Sequence, residues 1–224
     1  MTKKKLLISA LTKFLAGLVL MGLVLFLPAG TWNFFNGWLF LALLFIPMLF
    51  LGVALFLKSP ELLEKRLQSK EKEGTQKGVV AASGLMFIGA FVLAGLDFRF
   101  GWTKVPMWLV IAASVVLLAS YAMYAEVMRE NAYLSRTVEV QENQKVIDTG
   151  LYGVIRHPMY TATIFLFLAI PLVLGSWISF AIMLLYPVAI LARIGNEEKV
   201  LEEGLRGYTE YKKKVKYRLL PFVW

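Results

Sequence analysis

The sequence predicts an all-α integral membrane protein with about six transmembrane helices, and three observations lead to this class. Hydrophobic residues make up 58% of the 224 positions, and the mean hydropathy of +0.66 is far above that of an ordinary soluble domain. Long apolar segments recur along the chain, each at least about as long as a bilayer crossing. The loops between these segments alternate between basic and non-basic composition, as the loops of multi-pass proteins do.

Four apolar segments each have the length of a single span, which takes about 20 residues. They run over residues 6–27, 38–57, 79–96 and 106–125. Three lysines precede the first segment, as in a signal peptide, but the apolar run exceeds a usual signal core and no small-residue cleavage site follows, so we expect a retained anchor. Residues 1–128 are expected to form these four spans with a solvated cytoplasmic connector at 58–77, in which Ser59 and Pro60 suit the start of a short surface helix.

The fifth apolar segment, residues 160–192, is too long for one span and is interrupted by Pro171 and Gly175. Proline cannot continue the hydrogen-bond ladder of a helix, and glycine permits a turn. The segment therefore predicts a helical hairpin with a tight turn around residues 172–177. Its outgoing helix, residues 160–174, would be about 22 Å long, which is short for a bilayer core. Residues 129–224 thus comprise a polar loop, this hairpin and a carboxy-terminal segment, expected to form one integrated domain with the first four spans.

The placement of lysine and arginine predicts the orientation in the membrane. Basic residues are concentrated at the amino-terminal end, in the second and fourth loops and in the tail after the last span, whereas the first loop and the hairpin turn contain none. The third loop has only Arg99 and Lys104, which together with Asp97 fit ordinary loop polarity. Tryptophans fall at the boundary opposite the basic loops, where indole rings anchor helices: Trp32, Trp38, Trp102, Trp108 and Trp177. A multi-pass protein with both termini in the cytoplasm is expected.

Composition also excludes several kinds of site. The chain has no cysteine, which excludes disulfides, thiolate metal sites and a cysteine nucleophile. His157 is the single histidine, which leaves too few nitrogen ligands for an ordinary zinc site, and we expect no metal. The net charge of +9 arises from loops beside apolar spans and not from one continuous patch. Membrane lipids with anionic head groups are therefore the expected partners, and nucleic acid is not. The sequence makes no prediction about the oligomeric state.

Two polar segments of the carboxy-terminal part form a paired signature. The first leads from Gly150-Leu151-Tyr152 into Arg156-His157-Pro158-Met159-Tyr160, and the second is Glu197-Glu198 followed by Gly207, Tyr208, Tyr211 and Val215. They lie on the same predicted side of the membrane, at the two ends of the hairpin, so the topology brings them together. Taken alone, His157 and Pro158 fit an ordinary helix start, and the two glutamates fit a solvated helix end paired with nearby cations. Their joint occurrence in a chain poor in polar residues favours a site.

Together, these motifs resemble the isoprenylcysteine carboxyl methyltransferase family and its relatives, which include phospholipid methyltransferases. The resemblance covers residues 145–222 and rests on Thr149 to Tyr152, Arg156 to Tyr160, Glu197-Glu198, Gly207 to Val215 and Leu220-Pro221-Phe222. It implies a methyltransferase that uses S-adenosylmethionine, held on the cytoplasmic side in a helical pocket of the carboxy-terminal part. The implied cofactor-binding residues are Tyr152, Arg156, His157, Pro158, Tyr160, Glu197 and Glu198.

The chemistry of S-adenosylmethionine accounts for these residue types. Its ammonium group and ribose hydroxyls need carboxylates, its carboxylate needs cationic or amide donors, and its sulfonium is attracted to aromatic faces. Arg193 lies four residues before Glu197 and hence on the same helical face. From the resemblance, Arg193 and Glu197 are the candidate catalytic residues, with Arg193 orienting the methyl acceptor. The alternative for Arg193 is a snorkelling side chain that anchors the last span.

The expected methyl acceptor is lipophilic, such as an isoprenoid or prenylcysteine carboxylate or a lipid, because such a molecule can enter laterally from the bilayer. A nicotinamide-dependent sterol-type membrane reductase is an alternative, since such enzymes share a similar arginine-x-proline motif. They typically have asparagine where this chain has Met159, and a cysteine-containing segment that this chain lacks. A membrane binding protein without enzymatic activity is a further alternative.

Overall fold

The structure, a computed structural model, describes residues 2–67, 74–134 and 140–224, with the backbone alone for 74–80 and 82. Every regular element in these ranges is helical, which confirms the predicted all-α class. In chain order the α-helices are α1 (Lys3–Ala29), α2 (Phe35–Lys58), α3 (Pro60–Leu67), α4 (Gly74–Phe100), α5 (Met107–Glu130), α6 (Pro158–Leu174), α7 (Trp177–Met183), α8 (Leu185–Gly204) and α9 (Tyr208–Lys214). A 3₁₀ turn, Gly150–Gly153, precedes α6.

Among the described residues, five helical segments are long and apolar enough to cross a membrane: Lys3–Ala29, Phe35–Lys58, Ser83–Phe100, Met107–Glu130 and Trp177–Gly204. The first four correspond to the four predicted single spans. The fifth comprises α7 and α8, which are almost continuous because Leu184 between them has nearly helical angles, φ −63° and ψ −15°. Pro187 in the first turn of α8 lacks the amide that would bond the carbonyl of Met183, which accounts for the break. These spans support an integral membrane protein.

Helix α6 is a further apolar helix and the short arm of the hairpin. Its 17 residues extend about 26 Å, less than the roughly 30 Å of a bilayer hydrocarbon core. It ends at Leu174, after which Gly175 takes the left-handed conformation with φ 84° and donates its amide to the carbonyl of Leu172. Ser176 then caps α7 by accepting from the amide of Ser179. The predicted hairpin and its turn are confirmed.

An apolar core joins the helices in the middle of the bundle. It contains side chains of α1, α2, α4, α5 and α6, among them Leu25, Phe40, Phe91, Leu117 and Ile170. Gly95 lies where α4 crosses α1, and a Cβ at this position would be 2.6 Å from the carbonyl oxygen of Leu25. Side-chain carbons do not approach a backbone oxygen this closely, so the observed crossing requires glycine.

At one end of the bundle, a buried carboxylate ties the loop after α4 to the hairpin turn. Asp97 is 1% exposed. Its Oδ1 accepts from the amide of Thr103 at 2.7 Å, and its Oδ2 accepts from the hydroxyls of Thr103 and Ser176, both at 2.5 Å. The expectation of ordinary loop polarity is wrong for Asp97. Two chain reversals converge on its carboxylate, which the surrounding protein shields from water.

At the opposite end, α3 begins at Pro60 as expected, but it is not a solvated connector. Leu62 and Leu63 are buried, and Leu62 packs in one cluster with Val127 and Tyr152. The physical reason is that α3 carries an apolar face, which the end of α5 and the 3₁₀ turn cover. Residues 68–73 of the expected connector lie outside the described residues.

Both ends of the chain lie near the end of the bundle that carries α3. The ammonium of Lys13 in α1 donates to the carbonyl of Leu67 at the end of α3, at 2.5 Å. The carboxy-terminal tail runs beside the start of α6, where the amide of His157 donates to the carbonyl of Arg218 at 2.9 Å. The contacts thus place both termini at one end of the spans. That this end faces the cytoplasm stays a prediction.

Candidate functional site

The residues just before α6 pair with the carboxy-terminal tail. The amide of Arg156 donates to the carbonyl of Tyr217 at 2.9 Å. The guanidinium of Arg156 extends this contact, because its Nη1 donates to the carbonyls of Val215 and Lys216, both at 2.8 Å. Arg156 is itself buried. The side chain and the amide of Arg156 therefore both hold the tail against the start of α6.

The start of α6 sets the directions of the neighbouring side chains. Pro158 occupies the first helical position, where its missing amide leaves no hydrogen bond unmade, as the sequence predicts. The carbonyl of His157 accepts from the amides of Tyr160 and Thr161. The hydroxyl of Thr161 donates to the carbonyl of Leu219 at 2.8 Å, which attaches the first turn of the helix to the tail. His157 and Tyr160 both contact α8 from this turn.

Glu198 of α8 is the centre of a buried cluster of charges. Its side chain is 5% exposed. One carboxylate oxygen, Oε1, accepts from Arg156 Nε at 2.8 Å and lies 3.2 Å from His157 Nε2. The other oxygen, Oε2, lies 2.9 Å from Arg218 Nη2. The structure thus brings the two halves of the sequence signature together, and both oxygens of Glu198 bind protein groups.

Glu197, the adjacent residue, belongs to a different set of contacts. Its Oε2 accepts a short hydrogen bond from the hydroxyl of Tyr160, and that hydroxyl accepts from Arg193 Nε at 2.9 Å. His157 Nδ1 lies 4.0 Å from Glu197 Oε1. The side chain of Glu197 is 23% exposed, so unlike that of Glu198 it remains accessible from solvent. Arg193, Tyr160 and Glu197 form a continuous chain of polar groups between α6 and α8.

A cavity lies between the loop after α5, the start of α6, and helices α8 and α9. Most of the predicted site residues line it: Tyr152, Arg156, His157, Tyr160, Arg193 and Glu197. Pro158 and Glu198 are not among its lining residues. The wall also contains residues that were not predicted as site residues, namely Asn131, Tyr133, Leu134, Gln144, Lys145, Val146, Ile147, Met159, Leu201, Leu205, Tyr208 and Tyr211.

Three tyrosines of the wall have different hydrogen-bond environments. The hydroxyl of Tyr152 accepts from Asn131 Nδ2 at 3.0 Å, and the hydroxyl of Tyr211 donates to the carbonyl of Tyr152 at 2.7 Å. The hydroxyl of Tyr208 is buried and has no hydrogen-bond partner among the described residues. Burial raises the pKa of all three phenols, so they stay protonated at neutral pH. Each can donate a hydrogen bond, and none serves as a base.

Arg66 of α3 reaches the site from the side of α5. Its Nη2 donates a short hydrogen bond to the hydroxyl of Tyr124, and its Nη1 lies 4.0 Å from the sulfur of Met159, a cavity-lining residue. Arg66 is not among the residues that the sequence predicts for the site. The available signal was spacing, because Arg66 lies four residues after Leu62 and hence on the buried face of α3. The neighbouring charged residues of α3 make its buried face hard to recognise in the sequence.

The other wall residues that the sequence analysis missed fall into two groups. Leu201 and Leu205 continue the line of Arg193 and Glu197 at intervals of four residues, so helical spacing indicates them. The irregular chain between α5 and the 3₁₀ turn contributes Asn131, Tyr133, Leu134 and residues 144–147. No periodic pattern marks the course of such a segment, and its contribution to the cavity could not be inferred.

The part of the chain that holds this cavity also matches a known family. Residues 107–206 match the family model of phospholipid methyltransferase. This segment, which we call the methyltransferase segment after the model that it matches, runs from the start of α5 to just beyond α8 and contains every predicted site residue. The match confirms the resemblance to this group for residues 145–206 and supports a membrane methyltransferase. The part of the resemblance at residues 207–222 lies beyond the match and stays a prediction. No curated protein gives a significant match to the chain.

Proposed function

We propose that the protein is an S-adenosylmethionine-dependent membrane methyltransferase whose cofactor binds in the cavity between the loop after α5, α6, α8 and α9. One observation carries the proposal: the methyltransferase segment contributes a solvent-accessible carboxylate, cationic side chains and aromatic rings to the wall of a single cavity. These are the three kinds of group that the ends and the sulfonium of the cofactor require. The family match alone leaves the methyl donor and the acceptor open.

The residues of the cavity wall fit the cofactor group by group. Glu197 offers a carboxylate that suits the ammonium group or the ribose hydroxyls. The rings of Tyr152 and Tyr160 belong to the same wall and suit a sulfonium. The hydroxyl of Tyr208, which has no hydrogen-bond partner among the described residues, would gain one. When bound, the cofactor supplies a methyl group on a positively charged sulfur.

Glu198 is assigned a positioning role and not a direct contact with the cofactor. The sequence favours a cofactor contact for both glutamates, but the two oxygens of Glu198 already bind Arg156, His157 and Arg218. Through these contacts Glu198 holds Arg156 and His157 in the cavity wall. Removal of the Glu198 carboxylate would therefore change the positions of Arg156 and His157 in the cavity wall.

Arg193 and Tyr160 are assigned to the acceptor side of the cavity. The hydroxyl of Tyr160 links the Arg193 guanidinium to Glu197, so the guanidinium is held in a defined orientation. A guanidinium held in this way orients a carboxylate or phosphate through paired hydrogen bonds. Methyl transfer to a nucleophile is an in-line displacement, in which correct alignment of the reactants contributes a large part of the rate.

The proposed acceptor is lipophilic, with its reactive polar group at Arg193. The cavity lies at the start of α6, and α6 is shorter than a bilayer core by about 4 Å. The short helix supports a cavity close to the boundary between hydrocarbon and head groups. An isoprenoid or prenylcysteine carboxylate or a lipid would reach it laterally while the cofactor enters from water.

Calorimetry of the purified protein in detergent tests the proposed function. Titration with S-adenosylmethionine and with its demethylated product, S-adenosylhomocysteine, is expected to give saturable binding, because both carry the groups that the cavity fits. NADPH is the control ligand and is expected not to bind. Binding of NADPH alone would indicate a reductase, and binding of none of the three would indicate a protein without this cofactor site; either result contradicts the proposal.

A further inference from the structure

Tyr208, the first residue of α9, has a hydroxyl that the described part of the protein leaves without a partner. The residue is 4% exposed and lines the cavity, and its hydroxyl oxygen is inaccessible and makes no hydrogen bond to any described residue. Buried hydroxyls in folded proteins nearly always have a partner, because an unmade bond costs the desolvation of the group. An orphan hydroxyl in a cavity wall is explained by a ligand that supplies the missing acceptor.

The surroundings of Tyr208 restrict the chemistry of that ligand. Tyr208 belongs to an apolar cluster with Leu205, Tyr211 and Val215, against which Val146 and Leu201 pack. Most members of this cluster line the cavity together. The wall also contains the charged groups of Arg156 and Glu197, which are close enough to act electrostatically on the phenol of Tyr208. We call the part of the wall formed by the apolar cluster the apolar sector and the part formed by Arg156 and Glu197 the polar sector; the hydroxyl of Tyr208 is the donor of the apolar sector that has no partner among the described residues.

We propose that the apolar sector is a purine subsite, in which Tyr208 donates a hydrogen bond to a ring nitrogen of the adenine base. The inference rests on the proposed function, because it assigns the adenosyl part of the proposed cofactor to this sector and the amino-acid part to the polar sector. An aromatic base buries its faces against apolar side chains and offers ring nitrogens as acceptors. Burial keeps the phenol of Tyr208 protonated, by raising its pKa, and so able to donate.

Tyr211 supplies a matched control from the same helix and the same cluster. It lies one turn after Tyr208 and also lines the cavity, but its hydroxyl donates to the carbonyl of Tyr152 at 2.7 Å. The variants Tyr208→Phe and Tyr211→Phe each remove one hydroxyl from a buried tyrosine. Among the described residues, only the hydroxyl of Tyr211 makes a hydrogen bond that its variant would remove.

The first experiment measures ligand affinity and thermal unfolding for the wild type and both variants in detergent. The ligands are S-adenosylhomocysteine and 5′-methylthioadenosine, which lacks the amino-acid part. For Tyr208→Phe we expect both affinities to fall by the same factor, about tenfold, with no loss of stability in the ligand-free protein. For Tyr211→Phe we expect a lower unfolding temperature of the ligand-free protein, because this variant loses the hydrogen bond to the carbonyl of Tyr152.

The second experiment identifies the acceptor atom on the base. The 1-deaza, 3-deaza and 7-deaza forms of 5′-methylthioadenosine are titrated against the wild type and Tyr208→Phe. One of these forms is expected to bind the wild type about tenfold less tightly. Tyr208→Phe is expected to cause no further loss for that form, because the two changes remove the same hydrogen bond.

Several outcomes would overturn the purine subsite. In the first experiment, Tyr208→Phe would overturn it by binding both ligands as tightly as the wild type, by losing affinity for S-adenosylhomocysteine alone, or by losing as much ligand-free stability as Tyr211→Phe. In the second experiment, it would be overturned if Tyr208→Phe caused a further loss of affinity for each of the three deaza forms. Failure of the wild type to bind S-adenosylmethionine or S-adenosylhomocysteine is a different result. It contradicts the proposed function itself, and the two failures are thus distinguishable.

Discussion

At the scale of residues, the two adjacent glutamates of α8 show how one motif divides into two tasks. Glu198 binds Arg156, His157 and Arg218 inside the protein, whereas Glu197 accepts from Tyr160 and faces the cavity. Neighbouring residues of a helix point about 100° apart, so an acidic pair cannot serve a single ligand from one direction. Glu198 therefore makes a structural contact, and Glu197 is the residue proposed to bind the ligand.

The first prediction compares Glu198→Gln with Glu197→Gln. Glu198→Gln removes the negative charge that pairs with the buried guanidinium of Arg156, and we expect a loss of about 3 kcal/mol in the free energy of unfolding. Glu197→Gln is expected to leave the unfolding free energy within about 0.5 kcal/mol of wild type. It should instead weaken S-adenosylmethionine binding by about tenfold or more, since a charged hydrogen-bond partner is lost. Chemical unfolding and calorimetry measure the two effects. The reverse pattern would show that the roles are exchanged.

The second prediction concerns Arg193→Ala. We expect turnover to fall by about 10- to 100-fold, because the acceptor loses an orienting charge-assisted hydrogen bond. The affinity for S-adenosylhomocysteine should change by no more than about threefold, since Glu197 and the tyrosines remain in place. Turnover assays and calorimetry on the same preparation separate the two quantities. Equal losses in both would assign Arg193 to the cofactor, and no loss in either would leave it as a membrane anchor.

Part of this residue-scale arrangement could be predicted from the sequence. The hairpin alone brings Arg156 and His157 beside the glutamates. Its first arm begins, and its second arm ends, at the same end of the bundle. The division of roles between Glu197 and Glu198 could not be predicted. It depends on the rotation of α8 about its axis, which the packing of Ile190 and Ile194 against α6 determines. The motif contains no information about that packing.

At the scale of elements, close helix crossings and buried faces position the site. α1 and α4 touch at Gly95, and α3 presses its leucines against the end of α5. The apolar length of each span and the turn at Gly175 could be predicted from the sequence. The burial of α3 could not, because its partner surface lies some 60 residues later in the chain and the window around it is rich in charges. Arg66 was missed for the same reason.

The third prediction tests the crossing of α1 and α4 with Gly95→Ala. A methyl group at this position would meet the carbonyl of Leu25, so the helices must move apart, and we expect a loss of about 1 to 3 kcal/mol in the free energy of unfolding. Gly89→Ala is the control, because the same helix has open space around a Cβ at Gly89. There the gain in helix propensity should leave stability unchanged or raise it slightly. Thermal unfolding in detergent gives both values, and equal effects would contradict the proposed close contact.

At the scale of the whole molecule, the site and both chain ends share one end of the bundle. The opposite end contains the loop after α4, the hairpin turn and the carboxylate of Asp97. The alternation of basic loops predicts the division into two ends, because charge bias is a property of long stretches of chain. The burial of Asp97 could not be predicted, since its partners Thr103 and Ser176 lie in separate loops and become neighbours only in the fold.

The fourth prediction concerns which end faces the cytoplasm. The chain has no native cysteine, so single substitutions report accessibility without background. We expect a membrane-impermeant maleimide to label Asn33→Cys in intact cells and to leave Lys213→Cys unlabelled, because the basic end is retained in the cytoplasm. Both positions are exposed in the structure. After permeabilisation both variants should react, which controls for accessibility. If Lys213→Cys alone is labelled in intact cells, the orientation in the membrane is the reverse of the predicted one.

The contact between Arg156 and the tail has a consequence for the order of events during synthesis. Arg156 leaves the ribosome 60 residues ahead of Lys216, whose carbonyl accepts a hydrogen bond from the guanidinium of Arg156. Chains are made from the amino terminus, and both arms of the hairpin lie between these two residues. The hairpin is therefore threaded into the bilayer while Arg156 still lacks these partners. The tail is synthesised afterwards, and only then can its carbonyl groups accept from Arg156.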